Sequence, residues 1–251
     1  MKKQLMTGFL CLAMLSGCAG RDKASNTESA FGHCRNINYM DTSKPVIKTS
    51  EKVDDAWFSD ALFIGDARMG SVALYSDLGT KGAEIIYDES LGFFSVSSLP
   101  IQMSSSTAYD IMMQSQKKHI YFWLGLNELA YAESDEWYAS ANDVISAAVA
   151  SHPNSDVYVL ATLLPKSVFS ISGDELKQEV SSQNEKLQRI AAASNAYFID
   201  LSDDMCNESD VIKDEYLWGD YTLNTDGAQK VSDLLAYYTV NKESYVKKIC
   251  E

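Results

Sequence analysis

The chain has 251 residues, 46% of them hydrophobic, and carries 21 Lys and Arg against 35 Asp and Glu, a formal charge of −14. That length is enough for one large domain with a full core. So acidic a chain is repelled by nucleic acid and by anionic headgroups, which excludes nucleic acid as a partner.

Lys2 and Lys3 precede an apolar run through Phe9, Leu10, Leu12, Met14 and Leu15. A basic start and a short apolar core read as a secretory leader over residues 1–17, too short to persist as a membrane-spanning helix. The leader ends in Leu15-Ser16-Gly17-Cys18, which resembles the bacterial lipobox. The resemblance implies cleavage before Cys18 and acylation of that cysteine. The expected product is exported and lipid-anchored to the bacterial cell membrane or outer membrane, with the lipid as its only link to the bilayer.

Residues 18–53 are polar, rich in Ser, Thr, Asn and Lys, and read as a tether. With Cys18 acylated, Cys34, Cys206 and Cys250 remain, an odd number for an oxidising compartment. A bridge between Cys34 and Cys250 would staple the two ends of the domain, and Cys206 can replace either partner. Their spacing matches no zinc pattern, and neither a metal nor a cofactor is implied.

From residue 54 the pattern turns regular and runs as one domain to residue 251. Ala61–Gly65 is a buried strand that meets a tight Gly65-Asp66 turn and then a helix carrying Val72, Ala73 and Leu74. Ala83–Tyr87 is a second strand, and Gly92–Ser97 a third extended piece. Ser105-Ser106-Thr107 caps a helix through Tyr109, Ile111 and Met112. His119–Leu124 is too dense in β-branched and aromatic residues for an exposed sheet face. Trp137, Ala141, Val144, Ile145 and Ala148 mark one helix face, and Val157–Ala161 the strand after it. Leu176, Val180, Leu187, Ile190 and Ala191 mark a long helix, Ala196–Leu201 the last strand, and Thr225–Tyr238 the last helix. Strands alternating with helices imply βαβ units. The fold class is a three-layer α/β/α sandwich with a mostly parallel, flavodoxin-like sheet of about five strands.

Three short segments fall at strand carboxyl ends or just before a helix: Gly65-Asp66-Ala67-Arg68, Gly125-Leu126-Asn127-Glu128, and Gly219-Asp220-Tyr221-Thr222-Leu223-Asn224. In a doubly wound sheet such ends converge on one crevice. Together with Gly92, and with Asp226-Gly227 opening the last helix, these segments resemble the sequence blocks of the SGNH/GDSL hydrolases, over Ala61 to Tyr238.

The resemblance implies a serine after Gly65-Asp66, activated by a histidine that an aspartate orients, with glycine and asparagine holding the oxyanion. The chain departs from that pattern at all three triad positions, where Ala67, Gly219 and Thr222 stand. The oxyanion positions keep Gly92 and Asn127. No histidine replaces the missing base: His33 lies in the tether, and His119 and His152 fall at the opposite edge of the sheet. Asp66, Arg68, Gly92, Asn127, Glu128, Asp220 and Tyr221 are the candidate ligand-binding residues. For Asp66, bracing of the turn is the competing role; for Arg68, it is an ion pair with Asp66 or Glu128. Trp218 and Tyr221 are candidates for an aromatic rim. The expected function is non-catalytic binding or scaffolding of a glycan or protein ligand, with acylated or cell-wall glycans implied by the resemblance. Two other readings stay open: an active esterase or acetyl-hydrolase with an unusual site, and a purely structural envelope protein.

Overall fold

Strand β1 (Ala61–Gly65) is buried at every position and has a neighbour on each side, so the sheet grows outward from it. The computed structural model describes residues 41–101 and 105–240. After a short α1 (Ala56–Ser59) and β1 come α2 (Ala67–Tyr75), β2 (Glu84–Tyr87), α3 (Ala108–Gln114) and β3 (His119–Trp123). A 3₁₀ turn (Leu126–Tyr131), α4 (Asp135–Ser151) and β4 (Asp156–Leu160) follow, then a small hairpin of β5 (Ser167–Val168) and β6 (Ile171–Ser172). The chain closes with α5 (Gly173–Ser194), β7 (Tyr197–Ile199), α6 (Ser202–Met205) and α7 (Thr225–Tyr238).

The main sheet has the order β2-β1-β3-β4-β7, and every pairing is parallel. Fold class and strand number are those the sequence implies. The chain passes from β1 to β2 on one side and then crosses to β3 on the other. The sheet therefore reverses its winding between β1 and β3, and a crevice opens beyond their carboxyl ends.

Alternating residues of each strand feed two cores. Leu62, Ile64, Ile120, Phe122, Val157 and Val159 pack with α3, α4 and α5 on one face. Phe63, Tyr121, Tyr158 and Tyr197 pack with α2 and α7 on the other. These four rings are in register across four strands, and consecutive pairs stack with centroids 4.4, 4.5 and 5.3 Å apart. The buried hydroxyls of the tyrosines among them require partners. Tyr121 accepts from Trp57 Nε1 at 3.1 Å and bonds Thr239, and Tyr158 donates to the Val240 carbonyl at 3.1 Å.

Several local readings change. Gly92–Ser97 is a run of turns and no strand. Its amides at Phe93 and Phe94 are taken by the Glu128 carboxylate, which leaves no ladder to join. The helix after it is capped as expected, through a reciprocal box between Thr107 and Asp110. The domain also begins earlier than residue 54. Val46, Thr49 and Val53 donate backbone hydrogen bonds to Phe198, Tyr237 and Ala236, so this part of the expected tether lies on the folded body as a strap. The leader, Cys18, His33, Cys34 and Cys250 lie outside the described residues. Cys206 is a free, buried thiol in the core, and burial pushes its pKa up to about 12. Among the described residues no helix is long and apolar enough to cross a membrane.

Tyr121→Phe removes the acceptor of Trp57 Nε1 while keeping the ring stack. It should lower unfolding free energy by about 1–2 kcal/mol, read from urea denaturation with an unchanged m-value; an unmoved midpoint would contradict the role given to the hydroxyl.

Candidate functional site

The turn after β1 is built around a carboxylate. Asp66 caps α2, and its side chain is fully buried. It accepts from the Arg68 amide at 3.1 Å, from Arg68 Nε at 2.9 Å, from Arg68 Nη2 at 2.6 Å, and from the Leu126 amide at 3.2 Å. Arg68 is also buried, and its guanidinium carbon lies 5.0 Å from the Trp123 ring centroid. The pair thus joins the turn after β1 to the turn after β3. Both side chains are buried and turned to each other, so Asp66 and Arg68 brace the site and do not face a ligand.

Glu128 has the same internal role. Its carboxylate accepts from the amides of Phe93 at 2.9 Å and Phe94 at 2.7 Å, and from Trp137 Nε1 at 3.0 Å. Burial raises its pKa and nearby Asp66 adds repulsion, while these three donors act in the opposite sense. Gly92 follows from this packing: a Cβ there would meet Glu128 Oε1 at 2.4 Å. Its own amide donates to Ser95 Oγ at 3.0 Å. Asn127 directs its amide nitrogen at the carbonyls of Glu89, 2.8 Å away, and Leu91, 3.0 Å away. Both oxyanion candidates thereby have internal partners, and they hold the 88–96 segment in place.

The crevice itself, about 420 Å³, is lined by Ala67, Asn127, Tyr221 and Thr222 among others. The structure brings together the segments after β1, after β3 and before α7, as the sequence implies. Gly219 stands at φ +126°, a conformation closed to most side chains. The loop around it is tightly set: Trp218 donates its amide to the Thr222 carbonyl at 2.9 Å, and Leu217 bridges Leu223. Asp220 is turned toward the β5–β6 hairpin. Its carboxylate accepts from Ser167 Oγ at 2.5 Å and its carbonyl from the Lys166 amide at 2.9 Å. It ties the hairpin to the loop and is not an acid waiting for a histidine.

His119 and His152 are both buried at the opposite pole of the sheet. His119 stacks on Trp57 at 3.6 Å, and His152 bonds the Ala148 and Ser115 carbonyls. Ser71, one turn beyond Ala67, donates to the Ala67 carbonyl at 3.2 Å.

Sequence reasoning missed much of the wall. Tyr75, Tyr87, Glu89, Ser90 and Phe169 line the crevice with Trp218. Tyr87 ends β2, and the rule that sites gather at strand carboxyl ends could have found it. Tyr75 and Trp218 meet edge to face at 4.6 Å, a contact no local pattern announces. Among the described residues no group of three or more His, Cys, Asp or Glu stands close enough to hold a metal ion.

No protein-family model matches the sequence, and a comparison with curated proteins finds no match. Solved structures do share the fold. A GDSL-like lipase from Bacteroides thetaiotaomicron superposes with a TM-score of 0.54 at 14% identity, over 75% of this chain and 88% of that one. The extracellular lipase of Streptomyces rimosus gives 0.51 at 14% identity, over 71% and 99%. A lipolytic protein of the G-D-S-L family from Desulfitobacterium hafniense gives 0.51 at 10%, over 71% and 98%. At these identities the likeness is one of fold, and the fold is that of the SGNH hydrolases.

The buried pair is directly testable. Arg68→Met leaves the Asp66 carboxylate unpaired and should destabilise the domain by roughly 3–5 kcal/mol. Adding Asp66→Asn should recover a large part of that loss in chemical denaturation. Equal stability of the two variants would contradict the pairing.

Proposed function

We propose that this chain is a lipid-anchored envelope protein whose SGNH-type domain binds or scaffolds acylated or cell-wall glycans without hydrolysing them. One observation carries the reading. Where a serine hydrolase would place nucleophile and base, the crevice is lined by Ala67 and Thr222, neither able to take the role beside it. Ala67 has no hydroxyl, and threonine is no base at neutral pH. The surroundings agree. Gly219 holds a backbone shape that an aspartate would strain by about 1–3 kcal/mol, so the loop is fitted to the residue it has. Both oxyanion candidates are committed to the protein's own groups. What persists is an open cleft with exposed aromatic residues on its wall, the character of a binding site. Glycans are named on the strength of the family resemblance; lipid anchoring rests on the leader and on Leu15-Ser16-Gly17-Cys18.

The purified protein should hydrolyse p-nitrophenyl acetate no faster than a Trp218→Ala, Asn127→Ala control with a disrupted crevice. Robust turnover that the control lacks would overturn the non-catalytic reading. For the anchor, Cys18→Ala should move the protein from the membrane fraction to the soluble fraction of its host, and unchanged membrane retention would contradict lipidation.

A further inference from the structure

The crevice wall is aromatic, and its charge has one sign. Tyr75, Tyr87, Phe169, Trp218 and Tyr221 line it, and among the described residues that do so Glu89 is the one acidic or basic residue. Glu89 is exposed. Cations near the site are engaged elsewhere. Arg68, behind Ala67, is buried against Asp66, and Lys166, beside the hairpin, pairs with Asp214 at 3.0 Å. The chain as a whole carries −14, so the surrounding field has the same sign as Glu89.

Ring faces carry the negative side of an aromatic quadrupole and attract cations. Trp218 is 53% exposed and Phe169 73% exposed, so faces remain open to a ligand. They are also held in place. The Trp218 backbone is pinned by Thr222, its ring is braced by Tyr75, and Phe169 tops a hairpin that Ser167 latches to Asp220. An anionic glycan would find a carboxylate and no positive partner. A neutral glycan would stack on the rings and offer Glu89 hydroxyl hydrogen bonds, which a glutamine could also accept, but no charge. A sugar bearing a free amine would use both the rings and the charge.

We infer that the crevice selects a cationic saccharide, a glycan whose amino sugars carry unacetylated ammonium groups. Its ring face lies on Trp218, and its ammonium sits among the aromatic faces and Glu89. This rests on the glycan-binding reading above and narrows it to one charge class.

Two oligosaccharides that differ only in acetylation separate the inference from that reading. The full-length protein in a non-ionic detergent is titrated calorimetrically with β-1,4-linked glucosamine tetramer and with its fully N-acetylated counterpart. A mildly acidic buffer keeps the amines protonated. The amine form should bind about tenfold tighter, with an affinity that falls as salt is raised. Glu89→Gln should remove most of that difference and leave the acetylated form unchanged, while Trp218→Ala weakens both. Equal or tighter binding of the acetylated form, or an equal Glu89→Gln effect on both, would overturn the charge inference and leave glycan binding standing. Binding of neither form would overturn the two together.

Discussion

A carboxylate removed from water must have its lone pairs met by donors, and Asp66 is where this fold meets that demand at its switch point. Two of its four donors belong to the Arg68 side chain, one is the first turn of α2, and one is the amide of Leu126 beyond β3. One side chain therefore fixes how two neighbouring strands hand over to the segments that follow them. Because Arg68 brings the compensating charge and rests over Trp123, the floor of the crevice is electrically closed. The pair contributes more to shape than to net stability, since desolvating two charges offsets much of their attraction. Shape is what the crevice needs.

The walls show the same economy of partners. Glu128 gathers the 88–96 segment through two amides and is itself held to α4 by the Trp137 indole, and Asn127 ties the same segment through two carbonyls. Asp220 joins the hairpin to the loop before α7. These polar side chains are satisfied by the protein itself, and an exposed aromatic surface is left on the crevice wall. Under the binding reading proposed above, side chains pre-set by these contacts would lower the ordering cost of a ligand.

Much of the fold was legible from residue order because hydrophobic period and strand length are local signals. The five strands and the three long helices fall where apolar runs and 3.6-residue spacing put them. Gly92–Ser97 was misread because its conformation depends on Glu128, more than thirty positions away in sequence. The strap was misread because its residues are polar and its attachment uses backbone groups, which every sequence possesses. The site was half legible. Strand ends located Ala67, Asn127 and Tyr221 in the crevice, whereas the inward roles of Asp66, Arg68, Glu128 and Asp220 are set by long-range partners. Phe169 and Tyr75 reach the wall through the placement of a hairpin and a helix end, which no motif encodes.

The strap fixes the pole at which the described chain enters the domain. Thr42 bonds the Ala192 carbonyl near the end of α5, and the chain then runs past Phe198 and Tyr237 toward α1. Val240 bonds Tyr158 within the same lower layer, beside the entry of the strands. Both ends of the described body thus leave from the pole opposite the crevice. A force applied through residue 41 would pull along the strap and be borne by the edge of the sheet and by α7, leaving the crevice loops out of the load path. The cleft therefore lies at the far pole of the domain from the point where the described chain enters it.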